Sequence, residues 1–315
     1  MSHERKKTMD KRRIPLTISA IITAAALLTG CGSSTSESDD DNASTRPVEH
    51  VFGTTDVGST ERVAVLDGDR TMEAVVALGI EPVAAVKPPL TGDYAAVVAD
   101  ELDDEPEDLA GAEGEIDYEA LLAAEPDLVI MHVESDADRE IYDRASEIAP
   151  TVAISYTAAG WRDTLDQVAE ALDLESEAEE LLTDYDAALE ELGGADEAQG
   201  ETLSIVRVRS DQVRYMTQDG AFPWAVLKEL GYAAPQTQEA GDYETTTVSI
   251  SLENVDLLVA DRVLVLVDAG TEDAVDDLLA DPVFADAEVT RLPSSDFLFG
   301  NVLTARYMLS EFGNA

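Results

Sequence analysis

The 315-residue chain has one cysteine, three histidines and few aromatic side chains (5%). One thiol excludes an intramolecular disulfide and any metal centre built from several cysteines. His3, His50 and His132 are the whole imidazole complement. A zinc or manganese site needs several His and carboxylates to converge, so such a site is short of ligands. Positive charge is scarce too: 20 Lys and Arg stand against 67 Asp and Glu, a formal charge of −47. Nucleic acid and anionic lipid both require a positive face, so neither is an expected partner. The chain has no Gly-x-Ser-x-Gly elbow and no Gly-rich phosphate loop, which leaves an extracellular hydrolase as a distant alternative. No internal repeat marks an adhesin.

What is present begins with an address. Arg5, Lys6, Lys7, Lys11, Arg12 and Arg13 precede an uncharged run from Ile14 to Thr29. A basic start, a short apolar run and small residues before a cut site make a secretory signal. The run is too short for a spanning helix. Leu28-Thr29-Gly30-Cys31 resembles a bacterial lipobox, which implies cleavage before Cys31 and lipid attachment to its sulfur. Residues 1–30 hold six of the basic groups and two of the acidic ones, so cleavage leaves 14 against 65, about −51. Such an excess fits a surface adapted to salt, where screening weakens self-repulsion. Residues 31–58 read as the lipidated Cys and a flexible tether, rich in Ser, Asp and Thr.

The remainder is globular, at 45% hydrophobic, and long enough for two cores. Residues 62–66 and 82–86 read as strands around a helix over 71–78, a right-handed β-α-β unit. A helix over 116–122, a strand over 126–131, a helix over 139–148 and a strand over 152–154 complete a lobe spanning 59–160. Residues 161–193 carry helical spacing only, with Ala178, Leu181, Leu182, Tyr185, Leu189 and Leu192 on one face. A second lobe over 200–315 repeats the order in outline: strands at 203–209 and 262–267, a hairpin return at 213–216, helices at 224–230, 252–258, 271–279 and 300–312, and a strand at 288–292. The expected fold is α/β, two Rossmann-like lobes joined by one long helix.

Five segments in this order carry a family resemblance. They are Arg62-Val63-Ala64-Val65-Leu66, Met72 through Val83, Ile116-Asp117-Tyr118-Glu119-Ala120-Leu121-Leu122 running to Ile130, Val226 through Gly231, and Ile250-Ser251-Leu252-Glu253. Over about residues 59–312 the chain resembles the substrate-binding lipoproteins of bacterial ABC importers that serve iron–siderophores and vitamin B12. The resemblance implies a monomer on the outer face of the cytoplasmic membrane. It would bind ligand between lobes that close little and deliver it to a permease dimer powered by a cytoplasmic ATPase. Glu119 and Glu253 match the positions that dock onto permease arginines.

Ligands of open α/β sheets sit beyond the C-terminal strand ends. That rule leads to Asp67 through Arg70, Lys87 and the following Tyr94, and His132 in the first lobe. In the second it leads to Arg207, Arg209, Asp268 and Ser294 through Phe299. Arg207 and Arg209 share one face of a strand, and Arg214 can join them from the return strand. Guanidinium forks suit the oxygens of an iron chelate. Trp224, Phe222, Phe297 and Phe299 are candidate aromatic walls. The expected ligand is a ferric siderophore, of hydroxamate type by the resemblance of Arg207-Val208-Arg209-Ser210-Asp211, with cobalamin or haem as the alternative. No cofactor and no direct metal ligand are expected.

Overall fold

Val63, Ala64 and Val65 are fully buried, as a strand covered by helices on both faces must be. The computed structural model describes residues 45–157, 160–196, 198, 200–209, 212–238 and 247–313. The signal segment, Cys31 and the Ser210-Asp211 turn lie outside the described residues. The first lobe contains β1 (Arg46–His50), β2 (Gly53–Val57), β3 (Val63–Val65), α1 (Arg70–Ala77), β4 (Ala84–Ala85), α2 (Ala96–Ala99) and β5 (Glu107–Asp108). It continues with α3 (Tyr118–Ala123), β6 (Leu128–Val133), α4 (Arg139–Ser146), β7 (Thr151–Ser155) and α5 (Trp161–Leu172). Its main sheet has the order β5-β4-β3-β6-β7, every pair parallel.

The tether expected to reach residue 58 ends earlier. Arg46 to Val57 form an antiparallel hairpin whose Val48 and Val57 are buried. Thr55 Oγ1 donates to the Thr151 carbonyl at 2.7 Å and pins the hairpin to β7. Two buried valines among many exposed polar residues give no run long enough to see in sequence.

Helix α6 (Glu175–Glu191) leads from this lobe to the next. Asp173, at φ 62, breaks α5 from α6. Arg162 on α5 donates to Asp186 at 2.7 Å and to Glu229 at 3.2 Å, and Tyr185 Oη donates to the same Glu229. The connecting helix is thereby tied to both lobes. The second lobe comprises β8 (Leu203–Val208), β9 (Val213–Met216), α7 (Phe222–Glu229), β10 (Thr247–Ile250), β11 (Arg262–Val267), α8 (Glu272–Leu279), β12 (Glu288–Pro293), α9 (Ser294–Phe297) and α10 (Val302–Phe312). Its sheet order is β10-β9-β8-β11-β12. The β8, β11 and β12 pairings are parallel, whereas β9 and β10 run antiparallel to their neighbours. Residues 252–258, expected as a helix, form short 3-10 turns kinked at Asn254.

One apolar cluster runs through both lobes, from Val48 and Met72 by way of Trp161, Leu165 and Tyr185 to Trp224, Leu264, Met308 and Phe312. Helix α10 returns to the first lobe, where Glu73 on α1 accepts from the Thr304 N–H at 2.8 Å and the Thr304 hydroxyl at 2.7 Å. A hinge between lobes that share a core must open apolar contacts, which limits its amplitude.

Candidate ligand-binding site

The strand ends meet at a cavity of about 750 Å³ between the lobes. On the first-lobe side it is lined by Asp69 after β3 and by Pro88, Leu90, Thr91, Asp93 and Tyr94 after β4. On the other it is lined by Arg207 and Arg209, by Asp268 and Glu272 around the β11–α8 turn, and by Arg291, Ser294 and Phe299. The chain can turn sharply here because Gly68 lacks a side chain. A Cβ on Gly68 would lie 2.4 Å from the Pro88 nitrogen and 2.5 Å from the Val86 carbonyl oxygen. The floor beneath is polar. Asp67 accepts from the Thr71 N–H and hydroxyl, each at 2.7 Å, and so fixes the start of α1. Burial raises the Asp67 pKa, but His132, Arg70 and the Thr71 hydrogen bonds outweigh it and hold the group below its ordinary value. Asp69 has no such compensation. Burial, then the Asp67 charge, pushes it up to about 7 although Arg70 opposes them.

Arg207 and Arg209 do share a wall of the cavity, but Arg207 is not a bare cation. Its Nε and Nη2 donate to the two oxygens of Asp268 at 2.8 and 3.0 Å. Ser294 Oγ donates to Asp268 as well. These partners overcome burial and hold the Asp268 pKa below its ordinary value. Arg209 stands 4.0 Å from Asp268 and is 40% exposed, so it is the freer of the two. Tyr94 lines the cavity too, and its buried hydroxyl has no hydrogen-bond partner among the described residues. Burial raises its pKa. Phe299 contributes an aromatic face, with the Arg70 guanidinium 3.8 Å over its ring.

Several expected wall residues sit elsewhere. Trp224 is fully buried and donates through Nε1 to the Met216 carbonyl at 3.1 Å. Phe222 is equally buried; a Cβ on Gly300 would come 2.8 Å from its ring. Both rings lie in the first turn of α7, on its buried side. Phe297 is in the core against Tyr307, with ring centroids 5.3 Å apart. Lys87 is outside the lining because its ammonium pairs with Glu105. Arg214 stands opposite Arg207 in register, yet its Nε donates to Gln212 at 2.8 Å, clear of the cavity. His132 lies below the floor, 3.8 Å from Glu134 and edge-on to Tyr156. Burial lowers its pKa. Asp69, Asp93, Glu272 and Arg291 complete the charged lining. Asp69 and Glu272 lie just past strands the sequence marked. Asp93 and Arg291 had no signal apart from proximity to them.

Glu119 and Glu253 are both exposed. Asp117 caps α3 by accepting from the Glu119 and Ala120 N–H groups, both at 3.0 Å, which sets Glu119 in the first turn. Beside them stand the two most exposed large apolar side chains among the described residues, Leu122 at 61% and Leu252 at 68%.

A family model described as periplasmic binding protein matches residues 63–291. The chain belongs to the periplasmic binding protein family. Within it, the chain is 33% identical over 220 residues to a probable siderophore-binding lipoprotein, YfiY, of Bacillus subtilis (strain 168). That match covers 68% of this chain and 66% of the relative. It is 26% identical over 255 residues to the Fe(3+)-citrate-binding protein YfmC of the same strain, covering 76% and 77%. Among solved structures, Staphylococcus aureus SirA complexed with staphyloferrin B superposes with a TM-score of 0.70 at 25% identity, covering 85% of this chain and 97% of that one. FeuA from Bacillus subtilis, complexed with Ferri-Bacillibactin, shares the fold at a TM-score of 0.67 and 19% identity, covering 86% of this chain and all of that one. The two-lobed α/β architecture expected from sequence is thus that of the periplasmic binding protein family. Its members are solute-binding proteins.

Proposed function

We propose that the protein captures a ferric siderophore in the inter-lobe cavity and presents it to an ABC permease. The observation that carries this reading is a cavity of about 750 Å³ where both sheets end, walled by Arg207 and Arg209. A site that size buries most of a small chelate, with a few polar groups to orient it. Siderophore-binding relatives support the choice of ligand. Arg209 supplies the adaptable donor, Arg207 a fixed one, and Phe299, Leu90 and Pro88 the apolar contact. Ferric hydroxamates are the favoured chelates. No bond is made or broken on this chain.

Cys31 carries the lipid and holds the protein, as a monomer, on the outer face of the cytoplasmic membrane. Glu119 and Glu253 meet arginines of a permease dimer, where rim charges set orientation and association rate more than affinity. Leu122 and Leu252 add an apolar contact beside each. The cytoplasmic ATPase of the importer drives release.

Titration calorimetry of the purified full chain against ferrioxamine B, ferric enterobactin, ferric citrate, haem and cyanocobalamin tests the reading. Saturable binding of one ferric chelate, weakened about tenfold or more by Arg209→Ala, is expected; tenfold is about 1.4 kcal/mol, the scale of one charged hydrogen bond. Binding of haem or cobalamin alone would replace the ligand.

A further inference from the structure

The charges of the cavity are sorted by lobe. Every cation in its lining, Arg207, Arg209 and Arg291, comes from the second lobe. The first-lobe wall supplies Asp69 and Asp93 and no cation. Two of the three arginines are already paired. Arg207 holds Asp268 through Nε and Nη2, Arg291 pairs with Asp276 at 2.6 Å, and Arg209 is 4.0 Å from Asp268. Among the described residues Asp69 has only Arg70 as an ion-pair partner, at 4.0 Å, and Lys87 pairs with Glu105, with Asp93 acting on its charge more weakly. Counting the whole lining, three arginines face four carboxylates.

Charge separates the chelate classes. Three hydroxamates neutralise Fe(III), whereas three catecholates leave a charge of −3. A trianion would meet a lining without surplus positive charge, inside a chain that is itself strongly acidic. A neutral chelate bearing an ammonium arm would place its metal-bound oxygens toward Arg209 and its cation between Asp69 and Asp93. A cation there also relieves the repulsion that Asp69 suffers from Asp67. This rests on the siderophore reading and narrows it: we infer that the ligand is a ferric chelate of low net charge carrying a free ammonium group, recognised by Asp69 and Asp93 of the first lobe.

Ferrioxamine B and its N-acetyl derivative share one iron coordination sphere and differ in that ammonium. Calorimetry of the full chain is expected to show ferrioxamine B bound about tenfold or more tightly than the acetylated form, with ferric enterobactin weaker than both. Asp93→Asn, in an exposed loop, should shrink the difference, and Asp69→Asn with Asp93→Asn should abolish it. If the double variant melts early, the Asp93→Asn result stands alone. Equal affinity for the two ferrioxamines, or tighter binding of enterobactin, would overturn the inference. So would binding of ferric citrate with neither ferrioxamine bound, an outcome that leaves the siderophore reading intact. Silence from every ferric chelate would remove that reading and this inference together.

Discussion

Glu73 offers a test of the inter-lobe joint through pH. The side chain is buried, and burial pushes its pKa from 4.5 up to about 7, against the opposing hydrogen bonds from Thr304 and the backbone at the start of α10. Between those two values the native Glu73 keeps its proton while the unfolded chain has lost it. The native state then binds more protons, so stability falls as pH rises. The contribution is whole below about 4.5 and gone above about 7, and its size is about 3 kcal/mol. A Glu73→Gln variant cannot titrate, so the difference in unfolding free energy between wild type and variant should move by about 3 kcal/mol against the wild type from pH 4.5 to 7.5. Urea unfolding of the full chain at several pH values, in high salt to screen the net charge, measures it. Asp69, also raised to about 7, titrates in both proteins and largely cancels. Glu73 contributes to that rise, so part of the Asp69 effect is lost in the variant. Parallel stability curves for wild type and variant, or curves that diverge the other way, would refute the account of a carboxyl held neutral at the α1–α10 contact.

Trp224→Ala should cost about 3–5 kcal/mol of stability, seen as a lower urea midpoint, while ligand affinity of the folded fraction stays unchanged, because the ring is in the core. Asp268→Ala should cost about 3–5 kcal/mol in the same assay by leaving the Arg207 guanidinium buried without its partner. Charge reversal at Glu119 and Glu253 together should abolish uptake of the bound chelate by cells, with affinity in calorimetry unaltered; lost affinity would contradict the separation of docking from binding. Cys31→Ala should eliminate incorporation of labelled fatty acid and release the protein from the membrane fraction.

Legibility from sequence followed periodicity and burial. The strand β11, Arg262–Val267, is an unbroken apolar run between turn residues, and its bounds are those read from sequence. Helices α1, α5 and α6 announced themselves by 3- and 4-residue spacing. β4 lies within the strand read over 82–86, but β5 and β10 did not show, since two to four residues carry no period; β5 is Glu-Asp, and its pairing with β4 is what makes it a strand. At the site, the strand-end rule led to the crevice where the inter-lobe cavity opens, and Arg207, Arg209, Tyr94 and Phe299 line it. It failed for Trp224, Phe222 and Phe297, because they fall inside short helices, α7 and α9, too brief to show in sequence which face is buried, and only the packed interior decides. It failed for Lys87 for a different reason: Glu105, 18 positions on, captures the ammonium. The partnership of Arg207 with Asp268, 61 positions away, is likewise a property of two parallel strands lying side by side, which no local pattern records.

The return of α10 to the first lobe bears on how such a chain is made. Helix α10 supplies Met308, Leu309 and Phe312 to a core that begins with Val48, and its Thr304 completes the hydrogen bonding of Glu73. Until they emerge, the first lobe lacks a wall of its own interior and cannot settle. A chain interrupted before α10 would leave first-lobe apolar surface uncovered and prone to association, so the first lobe is not an independent folding unit.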